Sequence, residues 1–162
     1  MSGSTTSTAA AVPANRAGLR DGQVSELTVI APLKEGGGAR LRKIFASQGG
    51  RFAATDKVGS VHDMRFVFLD NDTKLLFAST YDGDWETYIN DFATLIPDAL
   101  DMAFSEVQGW PGIRSPQVKD FIVKYQITAS AWYVAFPEAA VPSIRRGLKI
   151  AAAVDGLLDA AG

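Results

Sequence analysis

Along residues 61–92, VHDMRFVFLDNDTKLLFASTYDGDWETYINDF, apolar and polar positions first alternate with period two and then switch to a helical spacing. His62, Met64, Phe66 and Phe68 alternate with Asp63, Arg65, Val67 and Leu69, the pattern of a half-buried strand. Asn71-Asp72 falls where a two-residue hairpin turn belongs. Centred there, the register pairs Leu69 with Lys74, Phe68 with Leu75, Phe66 with Phe77, Met64 with Ser79 and His62 with Tyr81. One face is then mostly apolar and ends in a His/Tyr pair, while the other carries Asp63, Arg65 and Thr80. Asp82-Gly83 breaks the second strand, Asp84 stands as N-cap, and Trp85, Tyr88, Ile89, Phe92, Leu95 and Ile96 form one helical stripe.

The same reading extends over the rest of the chain. Glu26 to Leu33 is a strand closed by Pro32, with Gly36-Gly37-Gly38 as its exit loop. Leu41, Ile44 and Phe45 predict a short amphipathic helix ending near Gly49-Gly50, and residues 51–60 a loop. Pro97 interrupts the helix that begins at Trp85, and Leu100, Phe104 and Val107 carry a second segment to about Gln108. Ser115-Pro116 opens a helix with Val118, Phe121, Ile122 and Tyr125 on one face. Ala129 to Phe136 (ASAWYVAF) reads as the last strand. A C-terminal helix from Pro142 to about Ala160 has Ile144, Leu148, Ala151, Val154 and Leu158 on its apolar face. Strand, helix, strand, strand, helix in parts, strand, helix is the pattern of an α+β, ferredoxin-like domain: a four-stranded antiparallel sheet with helices on one face. The uncovered sheet face predicts a homodimer packed sheet to sheet.

Composition narrows the classes. The 162 residues, 47% hydrophobic and 21% charged, fit one domain over residues 24–162, preceded by a Ser/Thr/Ala/Gly-rich arm over residues 1–23 that is expected to be disordered or loosely draped. A net charge of −2 and a pI of about 5.3 provide no global field for nucleic acid. Arg40, Arg42 and Lys43, and again Arg145, Arg146 and Lys149, read as solvated helix faces. With no cysteine and one histidine, disulfides, thiolate chemistry, Cys-based zinc sites and a multi-histidine metal site within one chain are excluded. No apolar run reaches the ~18 residues of a membrane span, and a soluble cytoplasmic protein is the expectation. Gly36-Gly37-Gly38 is no phosphate loop, since neither GxGxxG nor a Gly-Lys-Ser/Thr follows, and no nucleophile elbow is present.

The stretch His62 to Phe92 together with FIVKYQITASAWYVAFP (Phe121 to Pro137) resembles the dimeric α/β-barrel superfamily. Within it, LLFASTYDGDWETYINDF is similar to a bacterial group related to dye-decolorising peroxidases. Those enzymes carry a GxxDG motif whose Asp works on the distal side of haem. Here the matching residues are Ser79-Thr80-Tyr81-Asp82-Gly83, without the first Gly. They also comprise two ferredoxin-like halves and take a proximal His from the second half, which has no match here. The resemblance implies haem as a cofactor, with His62 as axial ligand, Trp85 and Met64 beside it, and Asp82 or Arg65 as the polar partner for peroxide. Cofactor-free monooxygenases of the same superfamily use the equivalent pocket, in which His62 and Tyr81 would handle protons.

Three roles thus stay open to His62: axial ligand, general base, or a core side chain bonded to Tyr81 and backbone. Asp63 cannot orient it through the shared strand, so a His–Asp dyad needs Asp82, Asp84 or another carboxylate. Trp85, Tyr88, Phe92, Tyr125, Trp132 and Tyr133 are candidates to line an apolar pocket between sheet and helices. The function expected is binding of an apolar or aromatic small molecule, as a peroxidase-like oxidoreductase, a cofactor-independent monooxygenase or isomerase, or a non-catalytic binding or assembly module.

Overall fold

A computed structural model describes residues 18–161. In chain order the elements are β1 (Arg20–Asp21), β2 (Val24–Pro32), α1 (Gly37–Ser47), a 3₁₀ turn (Ala53–Lys57), β3 (Val61–Leu69), β4 (Lys74–Asp82), α2 (Trp85–Leu95), α3 (Pro97–Ala103), α4 (Val118–Tyr125) and α5 (Val141–Ala161). The fold is α+β, with a four-stranded antiparallel sheet in the order β1-β2-β4-β3, and is compatible with a ferredoxin-like arrangement. Of the expected arm, residues 1–17 lie outside the described residues, while Arg20 and Asp21 form β1 and Gly22-Gln23 the turn into β2.

The hairpin forms as its alternation predicts. Leu69 pairs with Lys74, Phe68 with Leu75, Phe66 with Phe77 and Met64 with Ser79. At the tip, Asp70, Asn71 and Asp72 all take positive φ (51°, 54° and 64°), a region that Asn and Asp tolerate best among non-glycine residues. Asp72 is fixed there by both nitrogens of the Arg42 fork, each at 2.8 Å. Gly38 of α1 is so close that an added Cβ would lie 2.7 Å from the Asp72 carbonyl oxygen. By contrast, the Gly49-Gly50 turn at the far end of α1 has nothing within 4 Å of either added Cβ.

The fourth strand is not the expected one. Residues 127–140 contain no helix or strand, and the edge of β2 is divided among other partners, with Gln108 N–H donating to the Pro32 carbonyl at its far end at 2.9 Å. Arg20 and Asp21 pair with Ser25 and Val24, and further along a bridge joins Val29 to Gln126, with Ile127 N–H donating to the Thr28 carbonyl at 2.9 Å. Between these, the Glu26 carboxylate takes the ladder's place. Its Oε1 accepts from Leu19 N–H and Ala129 N–H, both at 3.0 Å, and its Oε2 from the Thr28 hydroxyl at 3.0 Å. Ala129 to Phe136 has the composition of a strand, but the edge it would join is already hydrogen-bonded.

Helices cover the sheet face that carries Leu27, Val29, Leu75 and Phe77, all buried. Phe66 sits at the centre of a ring cluster, 5.0 Å from Phe45, 5.5 Å from Phe52 and 5.2 Å from Phe77 between centroids. Each such ring, once buried, contributes roughly 1.5–3 kcal/mol. Asp84 caps α2 as its sequence predicts, accepting from Thr87 N–H at 2.9 Å and from the Thr87 hydroxyl at 2.8 Å. Pro97 ends the first helix and opens the second segment, α3, as the sequence predicts. That helix ends at Ala103, although Phe104 and Val107 remain in the core. Helix α4 starts at Val118, two residues later than Pro116 suggests, with Ser115 Oγ accepting from Gln117 N–H at 3.2 Å.

Helix α5 differs from the others. Only Val141, its first residue, is buried, and every position from Pro142 to Ala161 is exposed. No helix among the described residues is long and apolar enough to cross a membrane.

Candidate functional site

Where β3 begins, the ladder slips. Val61 pairs with Tyr81 and Asp63 with Thr80, so His62 is the extra residue of a β-bulge. The bulge corrects the expected His62–Tyr81 pair: it puts Val61 opposite Tyr81 and frees the imidazole to reach Asp82, the last residue of β4. His62 Nε2 lies 2.6 Å from Asp82 Oδ1, and the two side chains are 19% and 14% exposed. The other carboxylate oxygen, Oδ2, accepts from Val141 N–H at 2.8 Å. Asp82 therefore joins the bulge to the first turn of α5, a position where helix N-termini favour negative charge.

His62 of this pair lines a groove of about 250 Å³ together with Val24, Asp63, Thr80, Trp132, Phe136 and Ile144, among others. The groove is formed where the irregular segment 132–136 runs beside the sheet, and its far wall is the base of α5. Trp132 and Tyr133 thus line a site, but outside the space between sheet and helices where they were expected. Phe136 and Ile144 were not foreseen in it. The only sequence signal for Phe136 was its place before Pro137.

The remaining candidates are dispersed. Tyr81 is fully buried among the helices, its ring stacked on Tyr88 with centroids 3.7 Å apart and planes 4° from parallel. Burial, aided by the charges of Glu26 and Asp84, pushes its hydroxyl well above the ordinary phenol range. Tyr88 is raised in the same way, mainly by burial, and shares a hydrogen bond with Ser79. Trp85 is 4% exposed and belongs to the core. Met64 and Arg65 border a different cleft of about 300 Å³ with Phe45, Gln48, Arg51 and Phe52, and Arg65 pairs with Asp63 on an exposed surface. Of the set proposed from sequence, the fold brings together His62 and Asp82 and separates Tyr81, Arg65, Trp85 and Met64 from them.

The space between sheet and helices, lined by residues such as Val29, Phe77, Phe92 and Phe104, amounts to about 20 Å³, near the room of one water. Pockets for drug-sized ligands run to roughly 300–1,000 Å³. Haem does not fit there, and His62 lies on the other side of the sheet with its Nε2 engaged by Asp82. The described residues contain no group of three or more His, Asp or Glu able to hold a metal ion.

The basic runs behave as solvated faces. Arg40 pairs with Glu106 at 2.7 Å, and Arg42 pairs with Asp72 while lying 4.3 Å above the Phe68 ring. Comparison with family models, curated proteins and solved structures gives no match to this chain.

Proposed function

We propose that the protein binds a compact apolar or aromatic small molecule carrying one hydrogen-bond donor, in the groove between the sheet, residues 132–136 and α5. The observation that supports this reading is the 2.6 Å contact to Asp82 Oδ1 from the Nε2 of His62, a residue that lines the groove. An ionised carboxylate only accepts, so the neutral ring carries its proton on Nε2 and keeps Nδ1 as an acceptor. Nδ1 makes no hydrogen bond among the described residues. Trp132 and Phe136 supply flat apolar surface in the groove that His62 also lines. The same pair can take a proton from a bound hydroxyl, with Asp82 opposite the imidazolium that results. That step is the chemical basis of the cofactor-independent isomerase reading.

The test is titration with 2-naphthol and with its methyl ether, followed by amide and indole shifts in ¹H–¹⁵N spectra. The expected result is saturable movement of the Trp132 indole signal with 2-naphthol, and binding about tenfold weaker in His62→Ala, the equivalent of one hydrogen bond of ~1.4 kcal/mol. The ether, which has no proton to donate, should bind the parent and His62→Ala alike. A Trp132 signal that stays in place, or an affinity for 2-naphthol unaltered by the substitution, refutes the reading.

A further inference from the structure

We propose that the ligand of the His62 groove is an organic cation, an arylalkyl amine in its protonated, tertiary form. The inference rests on the binding reading above and narrows its single hydrogen-bond donor to a charged N–H. It begins with the bulge in β3. Consecutive residues of a regular strand face opposite ways, yet His62 and Asp63 both line the groove, because the extra residue suspends the alternation at this point. An imidazole and a carboxylate thereby border one space of about 250 Å³. Trp132, Tyr133 and Phe136 line it too, with Tyr133 and Phe136 mostly exposed and so open to a ligand arriving from water. Aromatic faces attract cations through the ring quadrupole, and the attraction grows as water is removed.

Formal charge decides the sign of the ligand. No lysine or arginine lines the groove. Asp63 is balanced by Arg65, whose side chain borders the other cleft. Asp82 has no such balance: its carboxylate meets the His62 ring and the Val141 N–H, and no lysine or arginine among the described residues. With the ring neutral, one negative charge behind the groove wall is left uncompensated. An anion would find no opposite charge there, and a neutral molecule would leave that charge unanswered. A tertiary ammonium answers it with a single N–H, which matches the one acceptor left free on the ring, His62 Nδ1. Its N-methyl groups carry much of the positive charge and suit the aromatic faces.

The test compares N,N-dimethyl-2-naphthylmethylamine, a cation at neutral pH, with the neutral 2-naphthylmethanol, which presents the same ring and one O–H. Each is titrated into the full chain with the Trp132 indole signal as readout. The ammonium should bind about tenfold tighter than the alcohol. That ratio should fall about threefold in Asp63→Asn, where Arg65 loses its partner; the position is exposed, so the domain should stay folded. Raising the ionic strength from ~0.1 to ~1 M, which shortens the screening length from about 10 Å to about 3 Å, should weaken the ammonium and leave the alcohol as it was. An alcohol that binds as tightly as the ammonium, or a preference for the ammonium that survives both Asp63→Asn and high salt, overturns the proposal while the groove reading stands. A Trp132 signal that moves with neither compound, nor with 2-naphthol, overturns both.

Discussion

Glu26 is the residue on which the irregular edge of the sheet depends. It is 4% exposed, and its carboxylate accepts one backbone N–H from each of two separate segments, Leu19 beside β1 and Ala129 after α4. In Glu26→Ala, Leu19 N–H and Ala129 N–H lose their acceptor and the Thr28 hydroxyl loses a third bond. Leaving a buried donor unpaired costs about 1–3 kcal/mol each, and water can reach these partly buried groups, so we place the total near the lower half of that sum, at ~3 kcal/mol. For a domain of this length, each kcal/mol is worth roughly 2–4 °C in Tm, giving a fall of about 6–12 °C. Thermal and denaturant unfolding measure the total, and amide exchange locates it, with Leu19 and Ala129 losing protection ahead of β4. Glu26→Gln keeps one acceptor oxygen and should fall between the parent and the alanine variant. A change of less than ~0.5 kcal/mol in Glu26→Ala, or protection at Ala129 that does not alter, would refute the claim that this carboxylate takes the place of a fourth-strand ladder.

Two further outcomes follow from single contacts. Tyr88→Phe removes the buried hydrogen bond with Ser79 and should cost ~1–2 kcal/mol in denaturant unfolding, with little loss of packing; an unchanged midpoint would mean that Ser79 finds another partner. Asp84→Ala should cost ~1 kcal/mol through loss of the α2 cap. The Thr87 N–H and hydroxyl hold the Asp84 carboxyl below its ordinary value of 3.8, so its contribution is complete above that pH and is lost as pH falls through the lowered value. The gap between Asp84→Ala and the parent should therefore be constant from neutral pH to about 4 and close only in stronger acid; a gap that closes at pH 6 contradicts the assignment.

Much of the fold was legible because local pattern and tertiary environment agree. The alternation through Met64, Phe66 and Phe68 set the hairpin register, and Asp84 before Trp85 set the start of α2. Legibility ended where one residue's insertion changed a face. Nothing in Val61-His62-Asp63 distinguishes a bulge from a regular strand, yet the bulge takes His62 from Tyr81 to Asp82 and so decides which candidates share a site. Ala129 to Phe136 failed for a different reason: strand propensity describes a segment and not the vacancy it must fill, and Arg20, Asp21 and Glu26 occupy that vacancy. The aromatic content of Trp132 and Tyr133 correctly suggested a lined site, but their side of the sheet depends on the same competition. In α5 the apolar arc was evident from spacing alone, whereas its exposure was not, because periodicity records an apolar face without recording what covers it.

The two turns that bracket α1 are unequal places to lengthen or label the chain. At the hairpin tip, Asp72 rests against Gly38 and is gripped by Arg42, so an inserted peptide there would have to displace a helix as well as a turn. Gly49-Gly50 adopts positive φ with open space around both residues, and an insertion at that point meets no neighbour. A reporter or affinity sequence placed between Gly49 and Gly50 would leave the sheet, the His62 groove and the free length of α5 all unobstructed, which makes this turn the natural handle for observing the protein in solution.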